Sequence, residues 1–122
     1  MATILVVEDN PANMKLAIFV LQSAGHTVVS APDAETGMAR ARDTRPALIL
    51  MDIQLPGIDG LTATALLKRA PETRTIPVIA LTALAMKGDE DRIRAAGCDG
   101  YIAKPIRYSH LLATVATYLV AS

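Results

Sequence analysis

Residues 47–60 read ALILMDIQLPGIDG, and this stretch decides the fold. Four consecutive apolar residues, 48–51, are followed at once by Asp52 and then by a loop that contains Pro and Gly. A short apolar run without internal polar residues is typical of a strand that is buried on both faces of a sheet. Asp52 therefore marks the carboxyl end of a buried strand, the place where parallel sheets carry their binding sites.

Similar runs lie on both sides of this stretch, at residues 4–7, 28–31, 78–81 and 101–103. Segments with helical character separate them, and the spacing of about 24 residues per unit is right for repeated βα units. Such a series predicts an α/β fold with five parallel strands and helices on both faces of the sheet. No linker or low-complexity segment interrupts the series, so we predict one domain over residues 1–122 without an output domain.

Residues that cap or stop helices support this division of the chain. The predicted helix starts are Asn10-Pro11, Asp33, Asp59 or Gly60, the acidic residues 89–91 and Pro105, and the predicted ends are Gly25, Arg45-Pro46, Pro71 and Gly97. Asn and Asp accept hydrogen bonds at helix N-termini, whereas Gly and Pro commonly follow a last turn.

Composition excludes several function classes. The chain has 122 residues, of which 52% are hydrophobic, and twelve basic residues balance twelve acidic ones. Neutralising nucleic-acid phosphates needs a basic excess, so an electrostatic nucleic-acid binder is not expected. One cysteine cannot form an internal disulfide, and no signal peptide or apolar run of membrane-spanning length is present. We therefore expect a cytoplasmic protein that does not insert into membranes.

Polar side chains follow four of the predicted strands at the point where each ends. Glu8 and Asp9 follow the first strand, Asp52 the third, Thr82 the fourth and Lys104 the fifth. Alone, each of these residues is more often a cap, a turn residue or a solvated charge. Because the carboxyl ends of parallel strands meet at one edge of the sheet, their conjunction predicts a single site.

Three carboxylates this close would repel and raise one another's pKa. A hard divalent cation, Mg²⁺ or Mn²⁺, resolves the repulsion because it prefers carboxylate and water oxygens. A carboxylate beside a cation, a hydroxyl and an ammonium group is suited to accept a phosphoryl group.

These motifs together resemble the receiver domain of bacterial response regulators, the CheY-like superfamily. The residues that carry the resemblance span the chain: Glu8-Asp9, Leu50-Met51-Asp52, residues 55–60, Leu81-Thr82-Ala83 and Lys104-Pro105. Residues 8–10, 13–15, 85–89 and 96–98 are further similar to single-domain regulators of cell division and polar differentiation. The resemblance implies a flavodoxin-like, doubly wound (βα)5 fold with strand order 2-1-3-4-5.

The resemblance also implies a role for each site residue. Asp52 would accept a phosphoryl group from a phosphohistidine, Lys104 would pair with that group, and Thr82 would donate a hydrogen bond to it. Asp9 and Asp52 would bind the metal directly, Glu8 through water and Gln54 through its backbone carbonyl. The Lys104-Pro105 bond would be cis. The protein would then be a stand-alone response regulator of a phosphorelay, a signalling phosphoacceptor that catalyses only its own phosphorylation and dephosphorylation.

The implied partners are proteins. The donor would be a histidine kinase or a histidine phosphotransfer protein. When Thr82 moves towards the phosphoryl group, Tyr101 would enter the vacated space. The face formed by helix 4, strand 5 and helix 5 would then change shape for an effector protein.

Two helices carry few charges, which suggests where the donor docks. Lys15 is the only charged side chain in residues 10–25, and Arg107 the only one in residues 107–122. We predict that Leu16, Val20, Leu21 and Ala24 face the core from helix 1, and Tyr108, Leu111, Val115 and Leu119 from helix 5. Met14, Ile18, Phe19 and Leu112 would then form an outward, weakly charged docking patch.

Two other function classes fit the residues less well. A dehalogenase-type phosphatase needs a second Asp two residues after its nucleophile, where this chain has Gln54. A flavin carrier needs a phosphate-binding loop rich in Ser, Thr and Gly after strand 1, where this chain has the acidic Glu8-Asp9. A phosphate sink without an effector stays open beside the effector-binding switch.

Overall fold

The computed structural model describes residues 2–83 and 87–120, except for the side chains of Lys87 and Val120. Strands and helices alternate: β1 (Thr3–Val7), α1 (Pro11–Ser23), β2 (Thr27–Ala31), α2 (Ala34–Thr44), β3 (Leu48–Asp52), α3 (Gly60–Arg69), β4 (Val78–Thr82), α4 (Lys87–Ala95), β5 (Gly100–Ala103) and α5 (Tyr108–Val120). The sequence motif at residues 85 and 86 and the chain end at 121–122 lie outside the described residues.

The five strands form one parallel sheet in the order β2-β1-β3-β4-β5. Strand β3 lies between β1 and β4, and all five of its residues are buried. The predicted α/β class, the parallel pairing and the strand order are therefore confirmed. In the described part of the chain no helix is both long enough and apolar enough to cross a lipid bilayer.

The predicted caps also form. The side chain of Asn10 accepts hydrogen bonds from the backbone N–H groups of Ala12 and Asn13 at the start of α1. Asp33 and Asp59 cap α2 and α3 in the same way. Gly25 and Gly97 follow α1 and α4 with φ values of 92° and 105°, a conformation in which a side chain would be strained.

Two apolar cores lie on opposite faces of the sheet. One is covered by α2, α3 and α4, through Ala41, Leu67 and Ile93. The other is covered by α1 and α5, through Leu21, Leu111 and Val115. Alternate residues of the central strands contribute to each core, which is why these strands are apolar throughout.

The predicted phase of α1 is wrong in part. Ala17, not Leu16, lies against the sheet beside Val20 and Leu21, while Leu16 is 41% exposed and Ala24 is exposed. A helix with a single charged residue gives little indication of which face is polar, and the small Ala17 lets the backbone approach the strands closely.

On α5, Leu111 and Val115 are buried as predicted, but Tyr108 is exposed. Leu119 is partly buried against the core, as is Leu112, which the prediction had turned outward. Tyr108 is the first residue of α5, and its hydroxyl lies 3.2 Å from Ser23 Oγ at the end of α1 rather than in the core.

Candidate functional site

Strand register brings the predicted polar residues together at the carboxyl edge of the sheet. Val7 pairs with Met51, so Glu8, directly after β1, and Asp52, the last residue of β3, lie side by side. Thr82 pairs with Ala103, and the backbone N–H of Lys104 donates to the Thr82 carbonyl at 2.7 Å. The site is therefore built on strand ends rather than on long loops, which fixes its geometry.

Lys104 connects two buried carboxylates. Its Nζ donates a hydrogen bond to Asp52 Oδ2 at 2.9 Å and lies 2.9 Å from Glu8 Oε1. Glu8 and Asp52 are each only 2% exposed. The other Asp52 oxygen, Oδ1, accepts a hydrogen bond from the backbone N–H of Gln54 at 2.9 Å. Both oxygens of Asp52 thus have a donor that holds the carboxylate in one orientation.

Burial and their mutual contacts shift the pKa values of Glu8 and Lys104. Burial raises the pKa of Glu8, and the neighbouring Asp52 raises it further, while Lys104 partly opposes this shift. For Lys104, burial alone would lower the pKa, but the hydrogen bond to Asp52 and the charges of both carboxylates reverse the effect and raise it. Lys104 therefore stays an ammonium group at neutral pH.

The three carboxylates also have the arrangement that a divalent cation requires. Glu8, Asp9 and Asp52 each offer an oxygen within 4.8 Å of the others, and Asp9 is exposed to solvent. Glu8 Oε1 lies 2.9 Å from the Lys104 ammonium, and Glu8 Oε2 accepts a hydrogen bond from the backbone N–H of Asn10 at 3.2 Å. Carboxylate oxygens that are clustered and partly open to water fit Mg²⁺, which keeps several water ligands.

The remaining predicted residues surround this cluster. Thr82 is fully buried at the end of β4, between Asp52 and Lys104 in the strand order. Tyr101 lies on the edge strand β5, with its side chain 37% exposed. The Lys104-Pro105 peptide bond is cis, as predicted.

The predicted docking residues lie on α1 and α5, the helices that cover the second apolar core. Phe19 is 67% exposed, as expected. Ile18 is half-buried, and it lines a shallow hollow with Pro11, Met14 and Lys15. Met14 and Leu112 also pack partly against the core, so they are less available for a partner than predicted.

Sequence reasoning captured the contacts at the site only in part. It predicts Lys104 as a fixed countercharge to the carboxylates and as a partner of the phosphoryl group, but not that the ammonium joins Glu8 to Asp52. It considered the Gln54 carbonyl, whereas the Gln54 N–H also holds Asp52. The spacing of strand ends indicates which residues meet, but a side-chain contact depends on rotamers that the spacing does not specify.

Comparison with known proteins identifies a family and several relatives of this chain. Residues 4–116 match the family model of the response regulator receiver domain. The polar-differentiation response regulator DivK of Brucella anthropi is 47% identical over 117 residues, which cover 96% of this chain and 95% of that protein. The corresponding protein of Brucella ovis is 46% identical, with the same coverage.

Solved structures agree with the fold. The receiver domain of a sensor histidine kinase from Pseudomonas aeruginosa, described with a magnesium ion in its active-site cleft, superimposes with a TM-score of 0.90 at 36% identity over 97% of each chain. The receiver domain of a histidine kinase from Syntrophus aciditrophicus gives 0.91 at 32% identity, covering 99% of this chain and 92% of that one. With this fold, this family model and these relatives, the chain belongs to the response regulator receiver domain family.

Proposed function

We propose that Asp52 is the phosphoacceptor of this receiver domain and that it takes the phosphoryl group from a phosphohistidine of a kinase or phosphotransfer protein. The observation that carries the proposal is the buried Asp52 carboxylate, which is held at both oxygens beside two further carboxylates. One Asp52 oxygen would form a bond to phosphorus as the bond from phosphorus to the histidine nitrogen breaks, and the imidazole would leave.

The surrounding residues have distinct parts in this transfer. Glu8, Asp9, Asp52 and the Gln54 carbonyl would hold Mg²⁺, which would supply positive charge for the phosphoryl oxygens. Lys104 already lies at Asp52 and would turn to the new negative charge, leaving Glu8. Thr82 would donate its hydroxyl hydrogen to a phosphoryl oxygen. Mn²⁺ has the same ligand preference and would substitute for Mg²⁺.

The phosphoryl group would then act as a switch. It adds roughly two negative charges and three acceptor oxygens at the end of β3. A shift of Thr82 towards it would open space for Tyr101, which is partly exposed on β5 beside α4 and α5. The face of α4, β5 and α5 would in this way report phosphorylation to an effector protein. By likeness to the DivK relatives, that output would lie in polar differentiation and cell division, in the cytoplasm.

Phosphorylation is measured by intact mass after incubation with Mg²⁺ and acetyl phosphate. We expect a gain of about 80 Da, one phosphoryl group, that disappears in Asp52→Asn and when Mg²⁺ is chelated. Asp9→Asn serves as a second control, because it leaves the nucleophile but removes an exposed carboxylate of the cluster. An equal gain in Asp52→Asn would rule out Asp52 as the acceptor.

We further propose that α1 receives the donor protein through the hollow formed by Pro11, Met14, Lys15 and Ile18, together with Phe19 and Leu112 of the predicted docking patch. The hollow follows directly after Glu8 and Asp9 in the chain, so a bound helix would lie close to the site.

Replacement of Ile18 tests this docking surface. Ile18→Lys should slow phosphotransfer from a phosphohistidine protein by about tenfold, because a charge would meet an apolar partner, and leave phosphorylation by acetyl phosphate unchanged. Ala39→Lys is the control, because Ala39 is exposed on α2, on the opposite face of the sheet. Equal slowing by both variants would exclude the α1 surface.

A further inference from the structure

A cluster of unpaired arginines lies at the edge of the sheet opposite Asp52. Helices α2 and α3 cover the same core and both end at this edge. Five exposed arginines lie here: Arg42 and Arg69 in the last turns of these helices, Arg40 just before the last turn of α2, and Arg45 and Arg74 in the segments that follow the helices. The two loops lead into neighbouring strands, and Ile49 N–H of β3 donates to the Pro77 carbonyl at 2.9 Å. The strand pairing therefore brings the loops close together.

Away from the carboxyl edge of the sheet, three basic residues in the described part of the chain have a carboxylate partner. Lys68 pairs with Asp99, Arg92 with Asp89 and Arg94 with Glu90. None of the five clustered arginines forms an ion pair within the described residues, although Asp43 and Glu72 are nearby in sequence. The local excess of positive charge is therefore not neutralised within the fold.

Arg45 provides a second, independent observation. It ends α2 with φ 44°, and it is the only residue other than glycine with positive φ among the described residues. Glycine or asparagine adopts this left-handed conformation at lower energetic cost. An arginine at a position that favours glycine indicates that the charged side chain has a function that offsets the backbone strain.

An apolar side chain lies beside the cluster. Leu66 is 43% exposed and lies one turn before Arg69 on α3. An apolar anchor flanked by guanidinium groups is complementary to a helix that carries an apolar residue one turn from carboxylates. The cluster has no aromatic residue of the kind that anchors proteins at a lipid surface.

We propose that this edge, formed by Arg45, Arg69, Arg74 and Leu66 with Arg40 and Arg42, binds an acidic amphipathic helix of a partner protein. The surface is separate from Asp52, from the α1 hollow and from the α4–β5–α5 face. A partner bound here would leave Asp52 accessible to its phosphoryl donor, and the proposal does not depend on phosphorylation.

The test uses a fluorescent helical peptide with leucine one turn from pairs of glutamate, and measures its anisotropy on titration with the full chain. Arg45→Gly/Arg69→Gln/Arg74→Gln should weaken binding on the order of tenfold. The control Lys87→Gln/Arg92→Gln/Arg94→Gln removes the same charge from α4 and should leave the affinity unchanged. Leu66→Gln should also weaken binding, whereas the peptide with lysine in place of glutamate should not bind.

Several results would overturn the proposal. One is that the acidic peptide does not bind the natural chain, and another is that the control variant loses as much affinity for the peptide as the cluster variant. A third is that anionic vesicles or duplex DNA bind in place of the peptide, in a way that depends on the cluster. Arg45→Gly separates binding from folding, because it removes strain: its stability to urea should not fall while its affinity does. Both triple variants should keep the mass gain with acetyl phosphate, so failure here is distinguishable from failure of the Asp52 assignment.

Discussion

Lys104 sets the charge balance of the site, because its ammonium lies 2.9 Å from an oxygen of each buried carboxylate. In Lys104→Gln the carboxylates of Glu8, Asp9 and Asp52 would lose their nearest cation. We expect Mg²⁺ to bind about tenfold more tightly to this variant, because attraction to the cluster is no longer opposed by a fixed positive charge. Phosphorylation should nevertheless become slower, because Lys104 no longer meets the phosphoryl group.

Isothermal titration calorimetry measures this affinity, since the chain has no tryptophan to report binding by fluorescence. Lys15→Gln is the control, because Lys15 is an exposed lysine on α1. Unchanged or weaker Mg²⁺ binding in Lys104→Gln would show that the ion does not bind among these carboxylates.

Gly60 is fixed by the backbone at the end of β3. A Cβ at this position would overlap the Asp52 carbonyl oxygen and lie 2.7 Å from Ile53 Cα, and backbone atoms cannot move aside cheaply. Gly60→Ala should therefore lower the free energy of unfolding by about 1–3 kcal/mol in urea titrations. It should also slow phosphorylation of Asp52 by displacing the strand end.

Gly88→Ala is the matched control, since nothing lies within 4 Å of a Cβ there. Within α4 this exchange should raise stability by about 0.5–1 kcal/mol. If Gly60→Ala were as stable as the natural chain, the close packing of α3 on the end of β3 would be wrong.

At the scale of the element, Asp33 stabilises α2 through its charge. Its carboxylate accepts a hydrogen bond from the Thr36 N–H at 2.7 Å, and this bond lowers the pKa of Asp33 below the usual 3.8. A pKa that is lower in the folded state contributes stability above the unfolded value, and this contribution is lost as the pH falls through the folded value.

Asp33→Ala should therefore lower the free energy of unfolding most above about pH 5. Below about pH 4, the difference in this free energy between the variant and the natural chain should shrink. Asp33→Asn is the control, because it still caps the helix but does not titrate. Urea unfolding at a series of pH values measures both differences. A difference for Asp33→Ala that stays constant down to pH 3 would contradict the role of the charged cap.

Elements also show how far the sequence predicts the fold. The boundaries of β3 and β4 follow from their apolar runs, and Asn10, Asp33 and Asp59 predict three helix starts. The face of α1 could not be predicted with the same accuracy. Its apolar residues are distributed around most of the helix circumference. Whether Leu16 or Ala17 faces the sheet therefore depends on how closely the helix approaches the strands.

At the scale of the whole molecule, zero net charge conceals a separation of charge. Acidic residues collect at the carboxyl edge of the sheet, where the helices begin, and arginines collect at the opposite edge, where α2 and α3 end. This arrangement complements the helix dipoles. In our proposals, one edge would bind a cation and a phosphoryl group, and the other would bind an acidic partner.

The candidate site was largely predictable at this scale. Parallel strands bring their carboxyl ends to one edge, so Glu8, Asp52, Thr82 and Lys104 had to meet once the strands were assigned. The ion pair between Glu8 and Lys104 was not predictable, because it depends on the reach of a long side chain across two strands.

The most direct test of the central claim locates the phosphoryl group within the chain. After incubation with Mg²⁺ and a phosphohistidine protein, borohydride reduces an aspartyl phosphate to homoserine, and peptide mass spectrometry identifies the position. We predict homoserine at position 52 and none at Asp9, Asp59 or Asp99. Homoserine at another aspartate, or phosphohistidine at His26 or His110 with Asp52 unmodified, would contradict the assignment of Asp52 as the phosphoacceptor.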